Sequence, residues 1–116
     1  MSPGHVEIFV TDPERSRRFY EEGLGFSRVA VQEGGFTWLR LGALEVLLRP
    51  GRRAVGATAY GEAPGALVLY TDDLDRTMDT LTSRGLAFRG TDGSDRCPTF
   101  TDPDGNWFQL VNPAEM

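Results

Sequence analysis

HVEIFVTDPERSRRFYEEGLGF, from His5 to Phe26, has a partner later in the chain: ALVLYTDDLDRTMDTLTSRGLAF, from Ala66 to Phe88. Asp12 aligns with Asp73, Arg15 with Arg76 and Ser16 with Thr77. After a one-residue shift, the GLGF closing one copy meets the GLAF closing the other. Each copy reads as an apolar strand, an aspartate turn, a helix and a second strand. Two such units make a pseudo-symmetric pair of modules, and ligands tend to sit where such modules meet. The same alignment sets His5 opposite Ala66.

Outward from these stretches, the pattern continues. Val6, Ile8 and Val10 alternate with His5, Glu7 and Phe9, as in a strand with two unlike faces. Asp12 is a helix cap and Pro13 suits the first helical position, so a helix is expected from Pro13 to Glu22. Gly23 and Gly25 end it and lead into a strand, Phe26–Gln32. Glu33-Gly34-Gly35 signals a hairpin to Phe36–Leu41, and Gly42-Ala43 turns that strand into Leu44–Arg49. Residues 51–63 carry few large apolar groups and read as a linker or a mobile flap. The second module repeats the scheme. It has a strand Ala66–Thr71, a helix of about Leu74–Arg84 capped by Asp72 or Asp73, and a strand Leu86–Arg89. A loop at 90–96, a strand Pro98–Thr101, the turn Asp102-Pro103-Asp104-Gly105 and a strand Asn106–Val111 follow. The expected fold is α+β: two βαβββ modules, about 3–50 and 64–112, in a single domain 1–116. Their sheets form a mixed, cup-shaped surface with the helices outside.

Composition narrows the function. The chain has 116 residues, enough for one core. A net charge of −5 argues against a nucleic-acid groove, which needs a basic surface, and would suit a cationic small molecule. No apolar run approaches the ~20 residues of a membrane span, and charges interrupt every stretch that could serve as a signal peptide. The single cysteine, Cys97, can form no internal disulfide and has no nearby histidine or basic cluster to activate it. A cytoplasmic protein without membrane contact is expected.

Strand parity supplies a ligand-binding list. If Val6, Ile8 and Val10 pack under the helix, His5, Glu7 and Phe9 face the cup. Leu39 and Leu41 read as core, which sends Phe36, Trp38 and Arg40 to the open side. Ala66, Val68 and Tyr70 follow in the second module, and core positions for Phe108 and Leu110 send Trp107, Gln109 and Val111 there. The candidate binding residues are therefore His5, Glu7, Phe9, Trp38, Arg40, Tyr70, Trp107 and Gln109. Aromatic walls with sparse polar groups suit a planar or amphipathic ligand. The plainer alternative is that the aromatics fill a sheet-to-sheet core or an interface, and that His5 is a polar strand-start residue bonded to Glu7.

The stretches GHVEIFVTDPERSRRFYEEGLGF, LYTDDLDRTMDTL and FTDPDGNWFQLVNP resemble the vicinal oxygen chelate superfamily. It contains glyoxalase I, extradiol dioxygenases, fosfomycin-resistance enzymes and bleomycin-resistance proteins. The resemblance implies paired βαβββ modules and a homodimer. Metal-dependent members take ligands from positions that carry over to His5, Glu45, Ala66 and Gln109. Alanine has no donor, and glutamine offers a neutral amide where a glutamate is expected. A catalytic metal needs about three protein ligands and an open position. His5, Glu45 and Gln109 remain as candidate ligands for a divalent metal, and the resemblance implies a site too weak to hold one tightly. The implied function is that of a binding protein of the bleomycin-resistance type, sequestering an antibiotic or metabolite with no cofactor. One alternative is a divalent-metal lyase, isomerase or thiol transferase, with Glu45 as the catalytic group moving protons. An extradiol dioxygenase is disfavoured, because its two-histidine, one-carboxylate set is absent. A non-catalytic partner subunit is the other alternative.

Overall fold

Asp12 and Asp73, aligned in the sequence, make the same bond in the computed structural model, which describes residues 1–52 and 56–116. Asp12 accepts from the Arg15 backbone N–H at 3.2 Å, and Asp73 accepts from that of Arg76 at 3.1 Å. These bonds cap α1 (Pro13–Arg18) and α2 (Leu74–Ser83) and satisfy donors that a helix start leaves free. The helix ends differ. The expected helix to Glu22 stays α-helical only to Arg18 and widens into a π turn, Phe19–Gly23, where the Leu24 N–H reaches the Phe19 carbonyl at 3.0 Å. The chain then turns at Gly25 (φ 87°) and not at Gly23. In the second copy the turn falls at Gly85 (φ 96°), with the Leu86 N–H on the Leu81 carbonyl at 3.1 Å. The one-residue offset between the copies lies in these two endings.

The chain divides into two compact units, Met1–Ala54 and Val55–Met116. The first contains β1 (Val6–Val10), β2 (Ser27–Gln32), β3 (Phe36–Leu41) and β4 (Leu44–Pro50), in the sheet order β1-β4-β3-β2. β1 and β4 are parallel, with Val6 beside Val46 and Ile8 beside Leu48; the other pairs are antiparallel. Parallel neighbours need a crossover, which α1 and the β2–β3 hairpin supply. Ile8, Val10, Leu39, Val46 and Leu48 are buried on the face that meets α1, and Ser16 and Tyr20 are buried on the helical side. Tyr20 packs edge-on against Phe26, 5.5 Å between ring centres.

The second unit contains β5 (Leu67–Tyr70), β6 (Thr99–Thr101) and β7 (Trp107–Val111), ordered β5-β7-β6 with β5 and β7 parallel. Leu69, Phe100, Phe108 and Leu110 form its core with Leu74 and Leu81 of α2, and Phe100 stacks on Phe108 at 5.0 Å. The expected strand Leu86–Arg89 is not a regular strand. It runs beside β6 through two bonds, Arg89 N–H to Thr99 carbonyl (2.7 Å) and Thr99 N–H to Gly90 carbonyl (3.0 Å). Beyond them the Asp92 N–H reaches the Cys97 carbonyl at 3.1 Å, which closes an isolated bridge between Thr91 and Pro98. Arg89 and Gly90 both bond Thr99, and Gly90 takes a positive φ of 78°, so two residues stand opposite one and the pairing is irregular there.

Of the expected linker, residues 53–55 lie outside the described residues, and Tyr60–Glu62 forms a 3-10 turn. No helix among the described residues is long and apolar enough to cross a membrane.

The Asp102-Pro103-Asp104-Gly105-Asn106 turn is organised by one carboxylate. Asp102, 4% exposed, accepts from the backbone N–H groups of Asp104 (3.0 Å) and Asn106 (2.8 Å) and from the Asn106 side-chain amide (2.8 Å). Removing a buried acceptor leaves its donors without partners. Asp102→Ala is expected to lower stability by about 2–4 kcal/mol, read from urea unfolding midpoints. A loss under about 0.5 kcal/mol would show that the turn does not depend on this carboxylate.

Candidate functional site

Register on the first sheet sorts its outward side chains into rows. One step beyond the Val6–Val46 pair, His5 lies along Glu45, and Glu45 pairs with Arg40 on β3. The next row is Glu7, Leu47 and Trp38, and the third is Phe9, Arg49 and Phe36. Thr37 and Leu39, between them, are buried on the opposite face. Strand alternation therefore gathers His5, Glu7, Phe9, Trp38, Arg40 and Glu45 on one side of one sheet.

These residues are linked. The His5 ring meets Trp38 edge-on, 4.5 Å between centres, and its Nε2 lies 3.8 Å from a Glu7 carboxylate oxygen. Glu7 accepts from Arg49 at 3.1 Å, and the Arg49 guanidinium lies 5.4 Å over the Phe36 ring. Trp38 donates its indole N–H to Gln32 at 3.2 Å, and Glu45 accepts from Arg40 at 3.3 Å. Phe9 stays 53% exposed. Both carboxylates thus face an arginine, and the net negative charge of the chain is not expressed on this surface. The pairs are half exposed, so each is worth at most about 1 kcal/mol and mainly orders the side chains.

The second sheet places its outward residues differently. Val68 and Tyr70 on the edge strand β5 are exposed, Tyr70 at 74%, and Ala66 before them is exposed too. On the central strand β7, Trp107 and Gln109 are buried, 4% and 8% exposed. The sequence expected them on an open wall. Trp107 donates its indole N–H to the Ala57 carbonyl at 3.0 Å and meets the Tyr60 ring edge-on at 6.0 Å. The Arg89 guanidinium lies 4.8 Å over the same indole and donates to Thr101 at 3.1 Å. Gln109 Oε1 accepts from the Tyr60 hydroxyl at 3.1 Å, while its Nε2 donates to Asp92 at 2.7 Å. Burial, with Asp92 nearby and then Cys97, raises the Tyr60 pKa above the ordinary tyrosine value, so its hydroxyl keeps its proton at neutral pH. Tyr60, Asp92 and Arg89 were not on the sequence list: Tyr60 and Asp92 lie outside the strands, and parity was not carried to the strand expected to end at Arg89. The one available signal was Tyr60 itself, a lone aromatic in a stretch of small residues.

Each proposed metal donor already has a partner. His5 rests on Trp38 beside Glu7, Glu45 is paired with Arg40, and the Gln109 oxygen accepts from Tyr60. The repeat also compares the two sheets directly. Val6 with Val46 corresponds to Leu67 with Phe108, so the counterpart of Gln109 in the first unit is Leu47, and that of Glu45 is Trp107. Leucine offers no donor. Among the described residues no group of three or more His, Cys, Asp or Glu side chains is placed to hold a metal ion. One imidazole, one arginine-paired carboxylate and one engaged amide fit a tightly held divalent cation poorly.

A carboxylate at position 109 would meet Asp92 directly. Gln109→Glu is expected to match the parent near pH 4, where the introduced carboxyl holds its proton, and to lose about 1 kcal/mol by pH 7, a cost softened by the exposure of Asp92. The sign follows from like charge: the introduced carboxyl is protonated more readily folded than unfolded, so rising pH favours unfolding. Asp92→Asn in the same chain should restore stability. Urea midpoints at both pH values decide it, and a flat difference would contradict the Asp92–Gln109 contact.

Comparison with known proteins agrees with this architecture. Residues 2–110 match the model of the Glyoxalase/Bleomycin resistance protein/Dioxygenase superfamily. TnmS3, an antibiotic binding protein from Streptomyces sp. CB03234, is 29% identical, with 97% of this chain and 98% of that one covered at a TM-score of 0.66. A superfamily member from Sphaerobacter thermophilus DSM 20745 is also 29% identical over 97% and 98% of the two chains, with a TM-score of 0.71. The fosfomycin resistance protein FosX from Mesorhizobium loti shares the fold at 21% identity over 98% and 94%, with a TM-score of 0.75. No curated protein sequence matches the chain. The repeat, the parallel pairing of first and last strands in each unit and the match over nearly the whole length lead to one assignment: this chain belongs to the Glyoxalase/Bleomycin resistance protein/Dioxygenase superfamily.

Proposed function

We propose that this protein binds a small amphipathic molecule, an antibiotic or metabolite, and sequesters it without a tightly held metal. The observation that carries the reading is the outward face of the first sheet. Phe9 and Trp38 present apolar surface there, framed by the Arg40–Glu45 and Arg49–Glu7 pairs, with His5 against the indole. A stacking surface with orienting polar groups and no strong donor set suits binding more than metal-assisted chemistry. The likeness to an antibiotic binding protein over nearly the full length of both chains supports the same choice. Tyr70, exposed on the second unit, offers aromatic surface of the same kind. The homodimer and the cytoplasmic setting expected from the sequence belong to this reading.

The test is a titration of amphipathic antibiotics, bleomycin among them, followed by tryptophan fluorescence and calorimetry. Trp38→Ala is expected to weaken the best binder at least tenfold, about 1.4 kcal/mol or more, while keeping the fold by circular dichroism. Thermal shifts with nickel, cobalt, manganese, zinc and iron(II) should be small and unaffected by His5→Ala. Stoichiometric metal in the purified protein, with a stabilisation abolished by His5→Ala, would replace this reading with a metal enzyme.

A further inference from the structure

Tyr60 lies on the second sheet as a bound ligand would. Its ring meets Trp107 edge-on and its hydroxyl donates to Gln109. The segment that carries it is lightly held. Among the described residues, two hydrogen bonds tie residues 57–62 to β7, one from the Trp107 indole to the Ala57 carbonyl and one from the Tyr60 hydroxyl to the Gln109 amide, and on β7 both involve side chains. Among the described residues, the segment's other hydrogen bonds are its own: Glu62 N–H to Ala59, Ala63 N–H to Tyr60, and Thr58 to Glu62. Among the described residues it makes no strand pairing with β5, β6 or β7. Backbone without a ladder, fixed by a few side-chain bonds, opens at much lower cost than a core strand.

The surface beneath has a defined hydrogen-bond polarity. The Asp92 carboxylate only accepts, so it must receive the Gln109 NH2 group, which turns the amide oxygen toward Tyr60. A group placed there must donate. Trp107 adds an aromatic wall, and Arg89 covers part of the indole and holds it in place. A phenol meets both requirements, which is what Tyr60 supplies.

We propose that the second sheet carries a binding site for a planar aromatic hydroxyl compound, and that Tyr60 is an internal occupant which such a compound displaces. The site can be tested without knowing the natural ligand. The chain has two tryptophans, so Trp38→Phe leaves Trp107 as the only one. In that background Tyr60→Ala should raise acrylamide quenching of Trp107 at least threefold. p-Cresol should then bind saturably and restore protection. 4-Methylanisole, which has the ring but no donor, should bind at least fivefold more weakly. With Tyr60 in place p-cresol should still bind, at least tenfold more weakly than to the Tyr60→Ala chain, because it must displace the occupant. If Tyr60→Ala proves poorly folded, Tyr60→Phe serves instead: without its hydroxyl bond the cover should yield to p-cresol more readily than the parent does. Unchanged quenching in Tyr60→Ala, equal binding of p-cresol and 4-methylanisole, absence of p-cresol binding when Tyr60 is present, or equal p-cresol affinity in Tyr60→Phe and parent would each overturn the proposal.

Discussion

Parallel pairing between the first and last strand of each unit is the constraint on which the other features rest. An antiparallel pair can close through a two-residue turn, but a parallel pair forces the chain to leave the sheet and return. The helices provide that return, and each needs a firm start, which Asp12 and Asp73 give. The pairing also fixes register, and in a sheet a slip of one residue exchanges the two faces. Val6 beside Val46 keeps Ile8 and Leu48 under α1 and leaves His5, Glu7, Trp38 and Glu45 outside. Leu67 beside Phe108 does the same for the second unit, setting Val68 beside Gln109.

Internal repetition preserves this framework while the outward residues diverge. His5 corresponds to Ala66, Glu7 to Val68, Leu47 to Gln109 and Phe9 to Tyr70. The inward residues stay apolar in both copies because the helix above them must be packed. The outward ones answer to no such demand. The first sheet carries paired charges and aromatics, whereas the second carries a central strand covered by residues 57–62 and by Arg89 and Asp92.

Much of this could be read in the sequence, where period and capping chemistry speak locally. The alternation in β1, the exposure of Phe9 and Tyr70, both caps and the bounds of β3 follow from the order of side chains. The errors fall where local rules are silent or conflict. Leu86–Arg89 has the apolar character of a strand, yet its pairing is irregular at Arg89 and Gly90, which both bond Thr99. The two endings GLGF and GLAF look alike and turn at different glycines, because a π turn takes up the offset. Trp107 and Gln109 alternate correctly, but their cover comes from a segment distant in sequence, which no period can indicate. For the same reason net charge does not describe this surface: the pairing of Glu45 with Arg40 and of Glu7 with Arg49 is a tertiary fact.

Asp92 sits in a loop outside every strand, yet it decides which way round the Gln109 amide points. An amide is nearly symmetric in shape and opposite in polarity at its two ends. The sheet thus contributes the form of the surface while a loop residue contributes its sense. Replacing that carboxylate by a side chain able to donate would free the amide to rotate, and a surface that welcomes donors would welcome acceptors too. Preference between hydroxyl and carbonyl compounds could then drift through a single loop position, with the strands, the core and the repeat left as they are.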